Sequence, residues 1–150
     1  MYFNRLIDKE LLSWSKEVDR KPVLLRGARQ VGKSSSVRKL AQSFDHFLEV
    51  NFEKDKRVHA LFDSDLIPKQ ICANLSVHFG QRIIPGKTLL FFDEIQACPN
   101  AISALRFFYE DYPELHVVAA GSLPESAYTR GTRQPQRIFA PFRAKFLAGI

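Results

Sequence analysis

The sequence has few cysteines, no clustered histidines and no long apolar run, and each shortage excludes a class of protein. The two cysteines, Cys72 and Cys98, form neither a disulfide framework nor a zinc-binding pattern, so a reduced, cytoplasmic compartment fits best. The four histidines are scattered along the chain, which argues against a structural metal site. No apolar run approaches the roughly 18 residues of a membrane span, and residues 1–5 do not resemble a signal peptide.

What remains is the composition of an ordinary globular domain. Of the 150 residues, 45% are hydrophobic and 25% are charged, and both values are typical of soluble domains. A chain of this length is expected to form one domain that buries roughly 68–70% of the surface exposed by the unfolded chain.

Positive charge is concentrated at the C-terminal end, in residues 124–150, which we call the basic tail. It holds five basic residues and one acid, and so supplies +4 of the chain's net charge of +6. Residues 129–137 have no usable hydrophobic period, whereas Phe139, Phe142, Phe146 and Leu147 would suit a short amphipathic helix whose start is limited by Pro141. We expect the tail to be weakly ordered or docked on another molecule. Its charge would suit nucleic acid or an acidic partner. The alternative is a solvated tail, because the pattern does not suggest a base-stacking surface.

One stretch fits the phosphate-binding loop pattern G-x-x-x-x-G-K-[ST] at every fixed position. It consists of Gly27, Ala28, Arg29, Gln30, Val31, Gly32, Lys33 and Ser34, and Ser35 follows. An apolar run precedes the stretch and an amphipathic segment follows it, so the loop would join a strand to a helix. That context favours a phosphate-binding loop over a glycine-containing surface turn.

The residue types in this stretch suit binding of the phosphates of a nucleoside triphosphate. Gly27 and Gly32 allow a tight turn in which successive backbone N–H groups face one concavity. The start of the following helix adds unpaired N–H groups and the positive end of its dipole. Lys33 would reach the β- and γ-phosphates, and the Ser34 hydroxyl would bind Mg²⁺.

Hydrophobic patterns predict four strands that alternate with helices. The strands are expected at residues 23–26, 47–52, 88–92 and 115–120. The helices are expected at residues 4–18, from the loop to about residue 43, near 58–62, and at 66–79 and 100–109. Such alternation is typical of an α/β fold with a mainly parallel sheet, and the continuous apolar run of the third strand indicates burial on both faces.

Two carboxylates, Asp93 and Glu94, directly follow that buried third strand. Ligands of open α/β sheets bind outside the carboxyl ends of the strands, where the phosphate-binding loop also lies. Asp93 would hold Mg²⁺, in part through water, and Glu94 would orient the attacking water. On its own the pair is equally typical of a strand end that faces solvent.

Ser122 ends the last predicted strand directly after Gly121. At that position its side chain would meet the γ-phosphate or the attacking water. The alternative is an ordinary turn serine.

Three motifs in order resemble a prokaryotic family of AAA-type ATPases: Arg26 to Ser34, Phe91 to Gln96 and Ala119 to Leu123. The resemblance implies a three-layer P-loop NTPase core of the additional-strand, catalytic-glutamate type, in which one strand separates the loop strand from the Asp-Glu strand. It implies ATP and Mg²⁺ as ligands. It also implies an ATPase core at residues 1–123, with the divergent basic tail after it. Members of the family usually carry a further C-terminal domain.

The tail departs from the family pattern, since Gln136-Arg137-Ile138 lacks the glycine that usually precedes the arginine. Arg137 is the candidate for the arginine that stabilises the transition state, and a solvent-exposed tail arginine is the alternative. A second subunit, in a homo-oligomer or a complex, would also be able to supply that arginine. Without one, hydrolysis would be slow. The alternative function is a nucleotide-binding remnant that does not turn over.

Overall fold

Hydrophobic strands form the centre of the molecule. The computed structural model describes residues 6–26, 33–122 and 145–146. Five strands lie in one parallel sheet. They are β1 (Val23–Arg26), β2 (His46–Asn51), β3 (Thr88–Asp93), β4 (His116–Gly121) and β5 (Lys145–Phe146).

The strand order is β2-β3-β4-β1-β5. β4 therefore lies between β1, which leads into the predicted loop, and β3, which carries the two acids. This is the strand order that the family resemblance implied, and the prediction of a mainly parallel sheet is confirmed.

In the described part of the chain, four α-helices cover the sheet, together with two 3₁₀ segments at Lys56–Phe62 and Ile95–Ala97. The helices are α1 (Leu6–Ser15), α2 (Lys33–Ala41), α3 (Pro68–Phe79) and α4 (Pro99–Asp111). No helix in the described ranges has the length and apolar content that crossing a membrane would require.

The core is divided into two clusters because alternate residues of a strand point to opposite faces of the sheet. Leu24, Leu90 and Phe92 pack with buried residues of α3 and α4 on one face. Leu25 and Phe91 pack with α1 and α2 on the other face. Every residue of β3 and β4 is buried, as expected for central strands covered on both sides. The result is the predicted three-layer α/β/α arrangement.

The N-terminal helix is shorter than its apolar pattern predicts. α1 ends at Ser15, and Val18 is 99% exposed instead of continuing the buried stripe. The chain turns away because the indole Nε1 of Trp14 donates to the carbonyl of Lys21 at 2.6 Å. This bond holds Lys21 beside the end of α1, two residues before β1 begins.

Two other elements differ from the sequence expectations at their ends. α3 begins at Pro68 rather than at residue 66, because a residue that precedes proline is disfavoured in the helical region. β5 lies within the basic tail and pairs with β1, where the sequence predicted a weakly ordered or docked segment with a short amphipathic helix at residues 139–147. The remainder of the tail, and with it Arg137, lies outside the described residues.

An aromatic cluster anchors the end of β3 that carries Asp93. The Phe92 ring lies 5.5 Å from Phe52, 5.7 Å from Phe62 and 6.0 Å from Phe108, measured between ring centroids. Interplanar angles of 70–87° make these edge-to-face contacts, which stabilise aromatic pairs beyond their buried area. The residue before Asp93 is therefore fixed by rings from three other segments.

We expect Phe92→Ala to lower the free energy of unfolding by about 3–5 kcal/mol, because it leaves a cavity among three rings. Urea denaturation would measure the change. Val77→Ala is the control, since Val77 is 83% exposed and surface substitutions usually change stability by less than about 0.5 kcal/mol. Equal effects of the two substitutions would contradict the proposed anchoring.

Candidate functional site

The site is built at the carboxyl end of the sheet, where α2 starts beside the end of β3. The Oγ of Ser34 donates a hydrogen bond to Oδ2 of Asp93 at 3.1 Å. These residues are 59 positions apart in sequence, and the crossovers of the parallel sheet bring them together. The structure thus joins one residue of the loop pattern to one residue of the Asp-Glu pair.

Asp93 is 8% exposed at the last position of β3. Its Oδ1 accepts a hydrogen bond from the backbone N–H of Glu94 at 2.9 Å. Burial raises the pKa of Asp93, the bonds from Ser34 and Glu94 N–H oppose that rise, and the charges of Glu94 and Glu49 add to it. A buried carboxylate with such neighbours is stabilised by a cation.

A bidentate ion pair fixes α2 beside the strand next to β3. Nε and Nη2 of Arg38 donate to the two carboxylate oxygens of Glu49 at 3.2 and 3.0 Å. Glu49 lies on β2, which pairs with β3 in parallel. No sequence pattern predicts this contact, because it depends on which strand becomes the neighbour of β3.

Glu94 has a left-handed backbone conformation, with φ 52° and ψ 47°. It is the one non-glycine residue with positive φ in the described part of the chain. This conformation turns the chain out of β3 and into the 3₁₀ segment Ile95–Ala97. Non-glycine residues in this region cost on the order of 1–3 kcal/mol and cluster at functional sites.

Gln96 connects Glu94 to the end of β4. Its Nε2 donates to Oε1 of Glu94 at 2.9 Å, and its Oε1 accepts from the backbone N–H of Ser122 at 3.3 Å. Gln96 ends the second motif of the family resemblance, which implies no role for it. A polar residue two positions after the acid is a weak signal, and only the strand order shows what it reaches.

Ser122 lies at the end of β4, between the elements that carry Ser34 and Asp93. Its side chain is exposed, and the bond to Gln96 engages its backbone N–H. Ser35, on α2, is also exposed.

The remaining predicted site residues lie outside the described ranges. These are Gly27, Ala28, Arg29, Gln30, Val31, Gly32 and Arg137, together with the side chain of Lys33. The backbone of Lys33 is described and forms the first residue of α2.

The oxygen ligands that are described suit Mg²⁺ better than a transition metal. Ser34 and Asp93 offer a hydroxyl and a carboxylate, which are hard ligands of the kind that Mg²⁺ binds alongside phosphate oxygens and water. Within residues 6–26 and 33–122, no group of three or more His, Cys, Asp and Glu could hold a metal. A cation here would therefore depend on the nucleotide for part of its coordination.

The two cysteines have no part in this chemistry. Cys72 and Cys98 are both buried and free. Burial raises the pKa of Cys72 to about 12, and it also raises the pKa of Cys98. Both thiols therefore remain protonated at neutral pH, as small apolar core residues.

Solved structures share this fold over nearly the whole chain. A structure of Caenorhabditis elegans PCH-2 matches with a TM-score of 0.54 and 13% identity, covering 96% of this chain and 43% of that one. A structure of Drosophila ORC bound to AT-rich DNA and Cdc6 matches with a TM-score of 0.53 and 14% identity, covering 92% of this chain and 50% of that one. The chain thus spans about half the length of these proteins. No curated protein matched the sequence.

A family model described as an AAA domain matches residues 19–143. The match begins before β1 and runs past Leu123, so the family pattern extends further into the basic tail than the three motifs indicated. It includes the strand-loop-helix segment, the Asp-Glu pair and the end of β4. The chain therefore belongs to the AAA domain family and has a nucleotide-binding, ATPase-type core.

Proposed function

We propose that this chain binds ATP together with Mg²⁺ and hydrolyses it to ADP and phosphate. The observation that carries the proposal is the hydrogen bond between Ser34 and Asp93. It joins the helix that follows the phosphate-binding pattern to the strand that ends in two acids. The order β3-β4-β1 supports the proposal, since both groups then flank the same crevice.

Ser34 and Asp93 would hold the Mg²⁺ ion. When bound, the ion neutralises charge on the phosphates during transfer. Backbone N–H groups of residues 27–32 would bind phosphate oxygens, and Lys33 would contact the β- and γ-phosphates. The free N–H groups of the first turn of α2 would add to this anion site.

Glu94 would orient the water that attacks the γ-phosphate. Its carboxylate follows Asp93 directly, and the left-handed backbone turns it away from the line of β3. The strained conformation supports a functional role for this residue. Ser122, at the end of the neighbouring strand, would contact the γ-phosphate or that water.

Turnover would depend on an arginine near the γ-phosphate, because such a residue accelerates hydrolysis by about 10³–10⁵-fold. Arg137 is the candidate within this chain. A second subunit is the other source, since AAA proteins often assemble into oligomers, and one structural neighbour is the complex of ORC with Cdc6 and DNA. Binding without turnover, and nucleic-acid binding by the basic tail, are the alternatives.

We expect Lys33→Ala to weaken binding of Mg²⁺–ATP by about 10–100-fold, because it removes a charge-assisted hydrogen bond to phosphate. Isothermal titration with and without Mg²⁺ would measure the affinity. Lys87→Ala is the matched control, since Lys87 is an exposed lysine that precedes β3 at the opposite end of the sheet. Equal affinities of wild type and Lys33→Ala would refute the proposed site.

We expect Glu94→Gln to bind Mg²⁺–ATP as wild type does and to lose at least about 100-fold in hydrolysis rate. The amide keeps the size of the side chain and its bond to Gln96, but it cannot polarise water as a carboxylate does. Single-turnover release of phosphate would measure the rate at high protein concentration, where subunits can assemble. Absence of release in wild type would favour the nucleotide-binding remnant.

A third expectation concerns Asp93→Asn in chelator-treated protein. Folding raises the pKa of Asp93 above its ordinary value, so the folded state binds this proton more tightly than the unfolded state does. The free energy of unfolding therefore falls as pH rises from the ordinary aspartate pKa through the raised one. Asparagine can accept from Glu94 N–H and donate to Ser34 without charge. The variant should therefore melt higher than wild type at neutral pH, and this advantage should shrink as pH falls towards the ordinary aspartate value.

Thermal melting across pH would measure that difference. Addition of Mg²⁺–ATP should raise the melting temperature of wild type more than that of Asp93→Asn, because the variant lacks the charge that binds the cation. Identical ligand-induced shifts in the two proteins would contradict a metal-binding role for Asp93.

A further inference from the structure

We propose that Gln96 is a positioning residue that holds the carboxylate of Glu94 at a fixed distance from the end of β4. This inference rests on the proposed function, because it gives Glu94 the task of orienting water. The contacts that carry it are the two hydrogen bonds of one side-chain amide, to Oε1 of Glu94 and from the N–H of Ser122.

The orientation of the amide follows from its two partners. The ionised carboxylate of Glu94 can only accept a hydrogen bond, and the backbone N–H of Ser122 can only donate one. A single orientation of Gln96 satisfies both, with Nε2 towards Glu94 and Oε1 towards Ser122. The side-chain amide offers this donor and this acceptor side by side.

Gly121 provides the space that this arrangement needs. A Cβ at position 121 would lie 2.5 Å from Oε1 of Gln96 and 3.2 Å from Cγ2 of Ile95. The φ angle of Gly121 is not positive, unlike those of Gly80 and Gly86. The space beside Gly121 is therefore limited by the Gln96 amide and by Ile95, and not by backbone conformation.

The link from Glu94 through the Gln96 amide to Ser122 N–H, which we call the bridge, has two consequences for Glu94. It restricts the rotamers of the half-buried Glu94 before a ligand binds. The conformational entropy of this side chain is then not lost again in the transition state. The bridge also engages Oε1, so that in the described part of the chain Oε2 is the oxygen that remains to accept from the attacking water. Because the other end of the bridge is Ser122 N–H, any shift of the β4 end that a γ-phosphate causes would be passed to Glu94.

Two substitutions separate this role from a merely structural link. Gln96→Leu removes both hydrogen bonds at similar volume. Gln96→Glu retains an acceptor for Ser122 N–H but removes the donor and sets a second carboxylate against Glu94. We expect both variants to bind Mg²⁺–ATP within about twofold of wild type and to lose on the order of 10- to 100-fold in single-turnover rate, since small misplacement of a catalytic group has effects of that size.

The same substitutions in a Glu94→Gln background provide the decisive comparison. If Gln96 acts through the carboxylate of Glu94, substituting Gln96 should have little further effect once that carboxylate has been removed. The fold-losses in single-turnover rate from the two positions should therefore not multiply. A full rate in Gln96→Glu would overturn the proposal. The same fold-loss in both backgrounds would also overturn it, because it would indicate a role independent of Glu94.

Gly121→Ala tests the geometry without reference to ATP turnover. In the wild-type background the added methyl group must displace the Gln96 amide, so the melting temperature should fall by several degrees. In a Gln96→Ala background only the contact with Ile95 remains, and the same substitution should cost clearly less. Equal falls in the two backgrounds would refute the bridge.

The two kinds of readout distinguish the proposals. If wild type binds ATP but releases no phosphate under any assembly condition, the proposed hydrolysis fails, and the coupling of Gly121 and Gln96 in melting still decides whether the bridge exists. If wild type hydrolyses ATP and Glu94→Gln does not, the proposed function stands, and the rates of the Gln96 variants decide the positioning role.

Discussion

The site depends on one buried carboxylate at the end of a central strand. Asp93 is held by the Ser34 hydroxyl on one oxygen and by a backbone N–H on the other. The free energy cost of burying this charge is reduced but not removed by these bonds, since the pKa of Asp93 remains raised. A cation beside Asp93 would offset this remaining cost. The packing around β3 keeps the carboxylate buried.

The packing of the sheet explains why this carboxylate cannot simply move into solvent. β3 is buried along its whole length. The ring of Phe92 packs against Phe52, which follows β2, against Phe62 of the 3₁₀ segment Lys56–Phe62, and against Phe108 of α4. On the other face, α2 is tied to β2 by the Arg38–Glu49 pair. Large hydrophobic burial thus fixes two polar groups whose own interaction is modest.

Much of this architecture could be predicted from local sequence. The runs at β3 and β4 showed central strands, and proline and glycine marked several helix ends, including Gly80 after α3. The strand order came from the resemblance of three motifs, because hydrophobic period says nothing about which strands become neighbours. Ser34 could be named from its place in the phosphate-binding pattern and Asp93 from its place after a buried strand, but the hydrogen bond between them depends on the fold.

The remainder could not be predicted because it depends on contacts through space. The exposure of Val18 follows from the bond between Trp14 and Lys21, which no periodicity encodes. The pairing of Lys145–Phe146 with β1 joins segments far apart in the chain, and a two-residue strand has too little pattern to be recognised. The bridge from Gln96 to Ser122 requires β4 to lie beside β3, and the left-handed turn at Glu94 contradicts the usual preference of glutamate.

That turn at Glu94 implies opposing demands on one position. The left-handed backbone there is least strained for a residue without a Cβ, whereas the proposed role in orienting water requires a long acidic side chain. A screen of random substitutions for thermal resistance alone should therefore enrich glycine or asparagine at position 94. Under the proposed function, those variants would gain stability and lose hydrolysis.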